Sequence, residues 1–97
     1  MADEVAVKDE VRIFGRYIVA DPKICHGKLT FRGTRILVAS VLAQVEEGLS
    51  WGEISERWGG DVPRAAIAEA VRLANEALRV TVAESRLDAF VVERRAG

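Results

Sequence analysis

A mainly α fold is predicted, with a trihelical core preceded by a short β-hairpin and followed by a C-terminal helical extension. Three observations predict it. Residues 11–20 carry β-branched side chains and read as extended, and the apolar spacing turns helical from Ile36 onward. Ser50 and Glu53 stand three apart, as a capping box requires. Gly48, the Gly59-Gly60 pair and Pro63 divide the helical stretch into three pieces.

The first ten residues are polar and charged, and read as a loose lead-in. Val11, Ile13, Ile18 and Val19 are β-branched, and Gly15-Arg16 offers a turn between two short strands. Asp21-Pro22 breaks that pattern, because the residue before a proline avoids the helical region. Lys28-Leu29-Thr30-Phe31 reads as a further short strand, with Leu29 and Phe31 on one face. Thr34 is placed to cap the first helix. Val38, Val41, Leu42 and Val45 form that helix's apolar face, and Gly48 stops it. The second helix opens at the Ser50/Glu53 box, with Leu49 and Ile54 spaced as a hydrophobic staple. It ends near Trp58, which is expected to pack on the first helix.

Pro63 suits the first position of a third helix, with Asp61 as its cap. Ile67, Ala70, Val71, Ala74 and Leu78 make its inward stripe. A second stripe follows at Val80, Ala83, Leu87, Phe90 and Val91. Between them, Val80-Thr81-Val82 is β-branched throughout and predicts a break or a kink. The resulting organisation is a lead-in (1–10), a domain (11–79) and an interaction segment (80–97). A partner chain is the simplest cover for the second stripe; the alternative is that it folds back on its own core.

Composition excludes several classes. Ninety-seven residues make one domain, and 49% are hydrophobic, enough for a core. The net charge of −1 gives no global attraction to polyanions. One cysteine and one histidine cannot supply a tetrahedral zinc site within the chain, and no metal or other cofactor is expected. No apolar run reaches the roughly 20 residues a membrane span needs, and the acidic start lacks a leader pattern, so a cytoplasmic protein is expected. Catalysis is not expected either. Cys25 and His26 are adjacent, and in extended backbone their side chains diverge. No glycine-rich phosphate loop and no paired carboxylates in an apolar setting are apparent.

Local charge is more informative. Lys23, Lys28, Arg32 and Arg35 follow one another without an acid, whereas Glu46, Glu47, Glu53, Glu56 and Asp61 face only Arg57. The basic run either contacts phosphate or is balanced by the acidic stretch. Helix, turn, helix, glycine turn and longer helix is also the layout of a helix-turn-helix module. DNA contacts would then fall to Lys28, Arg32 and Arg35 in the loop and Arg64 and Arg72 on the third helix.

The run Asp-Pro-x-Ile-Cys-His-Gly-Lys-x-Thr-Phe-Arg-Gly-Thr-Arg-Ile at residues 21–36 is long and specific. With Gly48-Leu49-Ser50, Glu53-Ile54 and a proline opening the next helix, it resembles the signature of domain-of-unknown-function family 433. The resemblance covers about residues 18–78. Proline usually follows Gly-Lys and Arg-Ile in that signature, where this chain has Leu29 and Leu37. The resemblance implies a homeodomain-like or winged helix-turn-helix fold and an antitoxin of the VapB-like kind. Such a protein would act as a homodimer, bind its operator DNA and neutralise a PIN-like ribonuclease toxin. A protein-protein interaction or assembly module without DNA binding is the alternative, favoured by the thin basic surface of the third helix.

Overall fold

The computed structural model describes residues 10–84. Three antiparallel strands come first: β1 (Arg12–Ile13), β2 (Ile18–Ala20) and β3 (Leu29–Phe31). They form a meander in the order β1-β2-β3, with Arg12 opposite Ala20 and Ala20 opposite Leu29. Three helices follow: α1 (Val38–Glu46), α2 (Trp51–Arg57) and α3 (Arg64–Ala83). A small sheet therefore leads into three helices; the further short strand read at residues 28–31 forms over Leu29–Phe31 and pairs with the second strand of the expected hairpin.

One core joins the two parts. Ile18 and Phe31 from the sheet meet Val38 and Val41 of α1, Ile54 of α2, and Ala66, Ile67 and Ala70 of α3. Val62, in the turn before α3, is fully buried with them, a role its place beside Pro63 had hidden. Trp58 does pack toward α1, and its indole N–H donates to Gln44 Oε1 at 2.8 Å. This satisfies the polar edge of a ring otherwise placed against the core.

The helix ends follow the punctuation with some corrections. Gly48 takes φ +95 after α1, the left-handed stop expected of it. The capping box forms: Ser50 Oγ accepts from Glu53 N–H at 3.1 Å, and Glu53 Oε1 accepts from Ser50 N–H at 2.8 Å. Thr34 does not cap α1. Its hydroxyl accepts from Ile36 N–H and donates to Phe31 C=O, so it closes the turn after β3, and Leu37 takes the cap position without a side-chain bond. Pro63 is the cap residue of α3 and not its first helical residue; Asp61 contributes no cap. β3 also buries Thr30 along with Phe31, and the Thr30 hydroxyl has no hydrogen-bond partner among the described residues.

α3 runs unbroken through Val80-Thr81-Val82. Thr81 Oγ1 donates to Ala77 C=O one turn back, which ties its β-branched side chain to the helix. The inward stripe is shorter than the sequence pattern. Ile67 and Ala70 are buried and Val71 is half-buried, but Ala74 and Leu78 are exposed because neither the sheet nor α1 extends that far.

The hairpin turn is fastened to α3 by one side chain. Glu69 Oε2 accepts from Arg16 N–H at 2.7 Å, and Oε1 accepts from Tyr17 N–H at 2.6 Å. The carboxylate fills the space over Gly15, where any Cβ would collide with it, and Gly15 has φ +155. Gly15→Ala and Glu69→Ala are each expected to lower the unfolding free energy by roughly 1–3 kcal/mol. Urea titration of the double variant should show a loss smaller than the sum, because both changes break the same contact.

Candidate nucleic-acid and partner surfaces

β3 divides the basic run that looked continuous in the sequence. Lys28 precedes the strand and Arg32 follows it, which separates them by about 13 Å at strand rise. Lys28 is exposed at the end of the sheet where Arg12, Ala20 and Leu29 lie in register. Arg32 belongs to the other end. Its backbone N–H donates to Tyr17 C=O at 2.6 Å, and its guanidinium Nη2 donates to Gly15 C=O at 3.3 Å. Arg32 thus braces the same turn that Glu69 holds. Arg35 is exposed, and its carbonyl turns back toward the loop before β3, accepting from Cys25 Sγ at 3.6 Å.

That loop is not extended. Cys25 and His26 have φ +51 and +58, and Gly27 continues in the same region. Gly27 N–H donates to Ile24 C=O and Lys28 N–H to Cys25 C=O, closing a short left-handed turn. The geometric premise that separated Cys25 from His26 is corrected accordingly: the thiol engages Arg35, and His26 faces solvent. Among the described residues no group of three or more His, Cys, Asp or Glu side chains is placed to hold a metal ion.

The α3 arginines sit apart from the loop. Arg64, on the first turn of α3, lays its guanidinium over Gly52 of α2, where a Cβ would lie 2.5 Å from Nη2. Gly52 is a platform for Arg64 that spacing alone did not reveal; its only sequence signal is a glycine inside a helix, where glycine is unfavourable. Exposed Trp51 adjoins it. Arg72 lies two turns further and borders a hollow with Phe14, Gly15, Glu69 and Leu73. Arg64 and Arg72 are both exposed, about 12 Å apart along the axis at helix rise.

The acidic stretch does not neutralise the basic run. Glu46, Glu47, Glu53, Glu56 and Asp61 are exposed, and among the described residues the ion pair formed is Arg79–Glu76 within α3. Glu53 has a lowered pKa, chiefly because the Ser50 backbone N–H bonds its carboxylate, with further help from the Ser50 hydroxyl and the Arg57 charge. That perturbation belongs to a helix cap.

Two apolar surfaces remain. On α3, Leu78, Val80 and Val82 are 50%, 47% and 55% exposed; Leu78 and Val82 share one side of the helix, and Val80 lies on another with exposed Ala83. Leu87, Phe90 and Val91 of the expected partner stripe lie outside the described residues. The other surface is a cleft of about 570 Å³ between the start of β3 and the start of α1. Lys28, Leu29, Leu37, Val38 and Leu42 line it, so the two leucines that replace the usual prolines meet there.

The family model described as "Protein of unknown function (DUF433)" matches residues 18–74, from β2 through the buried half of α3. The chain belongs to that family. No curated protein matches it. Among solved structures, the DUF433 chain is similar to Rv2018 from Mycobacterium tuberculosis, at 26% identity and a TM-score of 0.50. The similarity covers 56% of this chain and 24% of Rv2018, so this chain corresponds to about a quarter of that protein. The family description matches the resemblance carried by residues 21–36. No helix among the described residues is long and apolar enough to cross a membrane.

The lowered pKa of Glu53 fixes the sign of one pH effect. A carboxylate whose folded-state value lies below its ordinary 4.5 stabilises the fold fully above 4.5 and loses that contribution as pH falls through the lowered value. The stability advantage of the native chain over Glu53→Gln should therefore be constant at neutral pH and vanish in acid. Urea midpoints measured across that range check it.

Proposed function

We propose that this DUF433 chain is a non-enzymatic antitoxin-like protein whose α3 serves two partners. Its first half belongs to a helix-turn-helix unit that docks on operator DNA. Its last turns, with the residues that follow, bind a PIN-like ribonuclease toxin. The observation that carries this reading is the exposure of Leu78, Val80 and Val82 on a helix whose earlier turns close the core. A single helix thereby joins a rigid anchor to uncovered apolar side chains, Leu78 and Val82 on one side and Val80 with Ala83 on another, which a partner that wraps the helix would cover.

The DNA half rests on Arg64 and Arg72, with Lys28, Arg32 and Arg35 as phosphate contacts. Holding Arg64 against Gly52 reduces the side-chain freedom lost on binding. A chain with net charge −1 presents few phosphate contacts, so a homodimer is proposed as the DNA-binding form. An assembly module without DNA binding is the second reading, favoured by the exposed Glu46, Glu47, Glu53 and Glu56 on the helices that would face the duplex.

Two measurements test the proposal. Fluorescence anisotropy with a duplex from the upstream region of the gene should show binding that weakens steeply with salt. Arg64→Ala should cost about 1–3 kcal/mol if Arg64 reads a base edge. Absence of binding at low salt selects the assembly reading. Separately, Leu78→Asp with Val80→Asp should abolish neutralisation of the toxin and leave the melting temperature nearly unchanged, since both positions are exposed. Intact neutralisation contradicts the partner assignment.

A further inference from the structure

The cleft between β3 and α1 has a definite chemistry. Leu29, Leu37 and Leu42 supply apolar walls, and Lys28 supplies a cation at the rim. No acidic residue lines it, and α1 opens onto it with no acid in its first turn and no side-chain cap. The positive end of the α1 dipole therefore faces the cleft without a counter-charge from the cleft's own lining. Such a site fits a segment that alternates apolar side chains and carries acidic groups beside them.

This chain supplies such a segment. Residues 3–7 read Asp-Glu-Val-Ala-Val, with Val5 and Val7 spaced to share one face of an extended chain. Residues 1–9 precede the described stretch, which enters β1 at Arg12. Arg12, Ala20 and Leu29 form one row across the sheet, so the chain leading into Arg12 passes the same end of the sheet as Lys28. Two strand spacings, about 10 Å, separate Arg12 from Leu29. Nine extended residues span up to about 30 Å, enough to cover that distance and lie along the cleft.

We propose that residues 3–7 of this chain dock in the Leu29–Leu37–Leu42 cleft, with Val5 and Val7 against its apolar walls and Asp3 and Glu4 toward Lys28 and the start of α1. This inference stands apart from the DNA and toxin readings, since it needs neither partner. It gives the acidic N-terminal segment a place in the fold and covers an otherwise open apolar surface.

A nitroxide attached to Ala2→Cys in a full-length Cys25→Ser chain tests it. Docking broadens the amide signals of Leu29, Ala39 and Leu42 and leaves those of α2 sharp. Lys28→Glu and high salt restore the broadened signals, because both weaken the charge attraction. A mixture of isotope-labelled chains without the nitroxide and unlabelled chains carrying it shows no broadening if the contact is within one chain. Broadening in that mixture assigns the cleft to the segment of a second copy and overturns the intramolecular proposal. Sharp cleft signals in the labelled full-length chain also overturn it.

Discussion

Glu69 holds the two parts of this protein together at a point where neither has much surface to spare. The sheet is small: β1 contributes two exposed residues and β2 three buried ones. Strands this short are not stable alone in water. Packing of Ile18 and Phe31 against Ile54, Ile67 and Ala70 supplies the apolar gain, and Tyr17 of the hairpin turn packs against the same core. The Glu69 carboxylate fastens that turn to α3 by accepting two backbone N–H groups, and Arg32, just after β3, braces it by donating to Gly15 C=O.

The same constraint explains which features were legible in the sequence. The capping box, the glycine stop at Gly48 and the α1 face were readable because each depends on neighbours within a turn or two. Glu69 was not readable as a fastener, since its partners are more than fifty residues away and a surface glutamate on a helix is ordinary. Val62 was hidden for the same reason: burial at a turn depends on what lies across from it. The pattern at Ala74 and Leu78 was apolar and correctly spaced, yet nothing in the described fold covers it. Periodicity reports which face of a helix is apolar; it does not report how far the rest of the chain reaches.

The candidate site was legible in part. Residues 21–36 identified the family, because a run of that length is specific. They gave a poor account of local geometry, because three consecutive residues with positive φ interrupt what reads as extended chain. β3 then separates Lys28 from Arg32, so residues close in sequence serve different ends of the sheet. The Gly52 platform under Arg64 lay outside any motif and emerged only when α2 and α3 were brought together. The proposed division of α3 into an anchored half and an uncovered half is accordingly a property of the fold.

Native-state hydrogen exchange on the isolated chain tests that division most directly. The account predicts that amides of β2 and of α3 around Ala70 exchange only through global unfolding, with one shared free energy. Amides from Leu78 to Ala83 should exchange far faster, because no packed neighbour opposes their opening. Equal protection along all of α3 in the monomeric chain would contradict the account, as would exchange of β2 independently of Ala70.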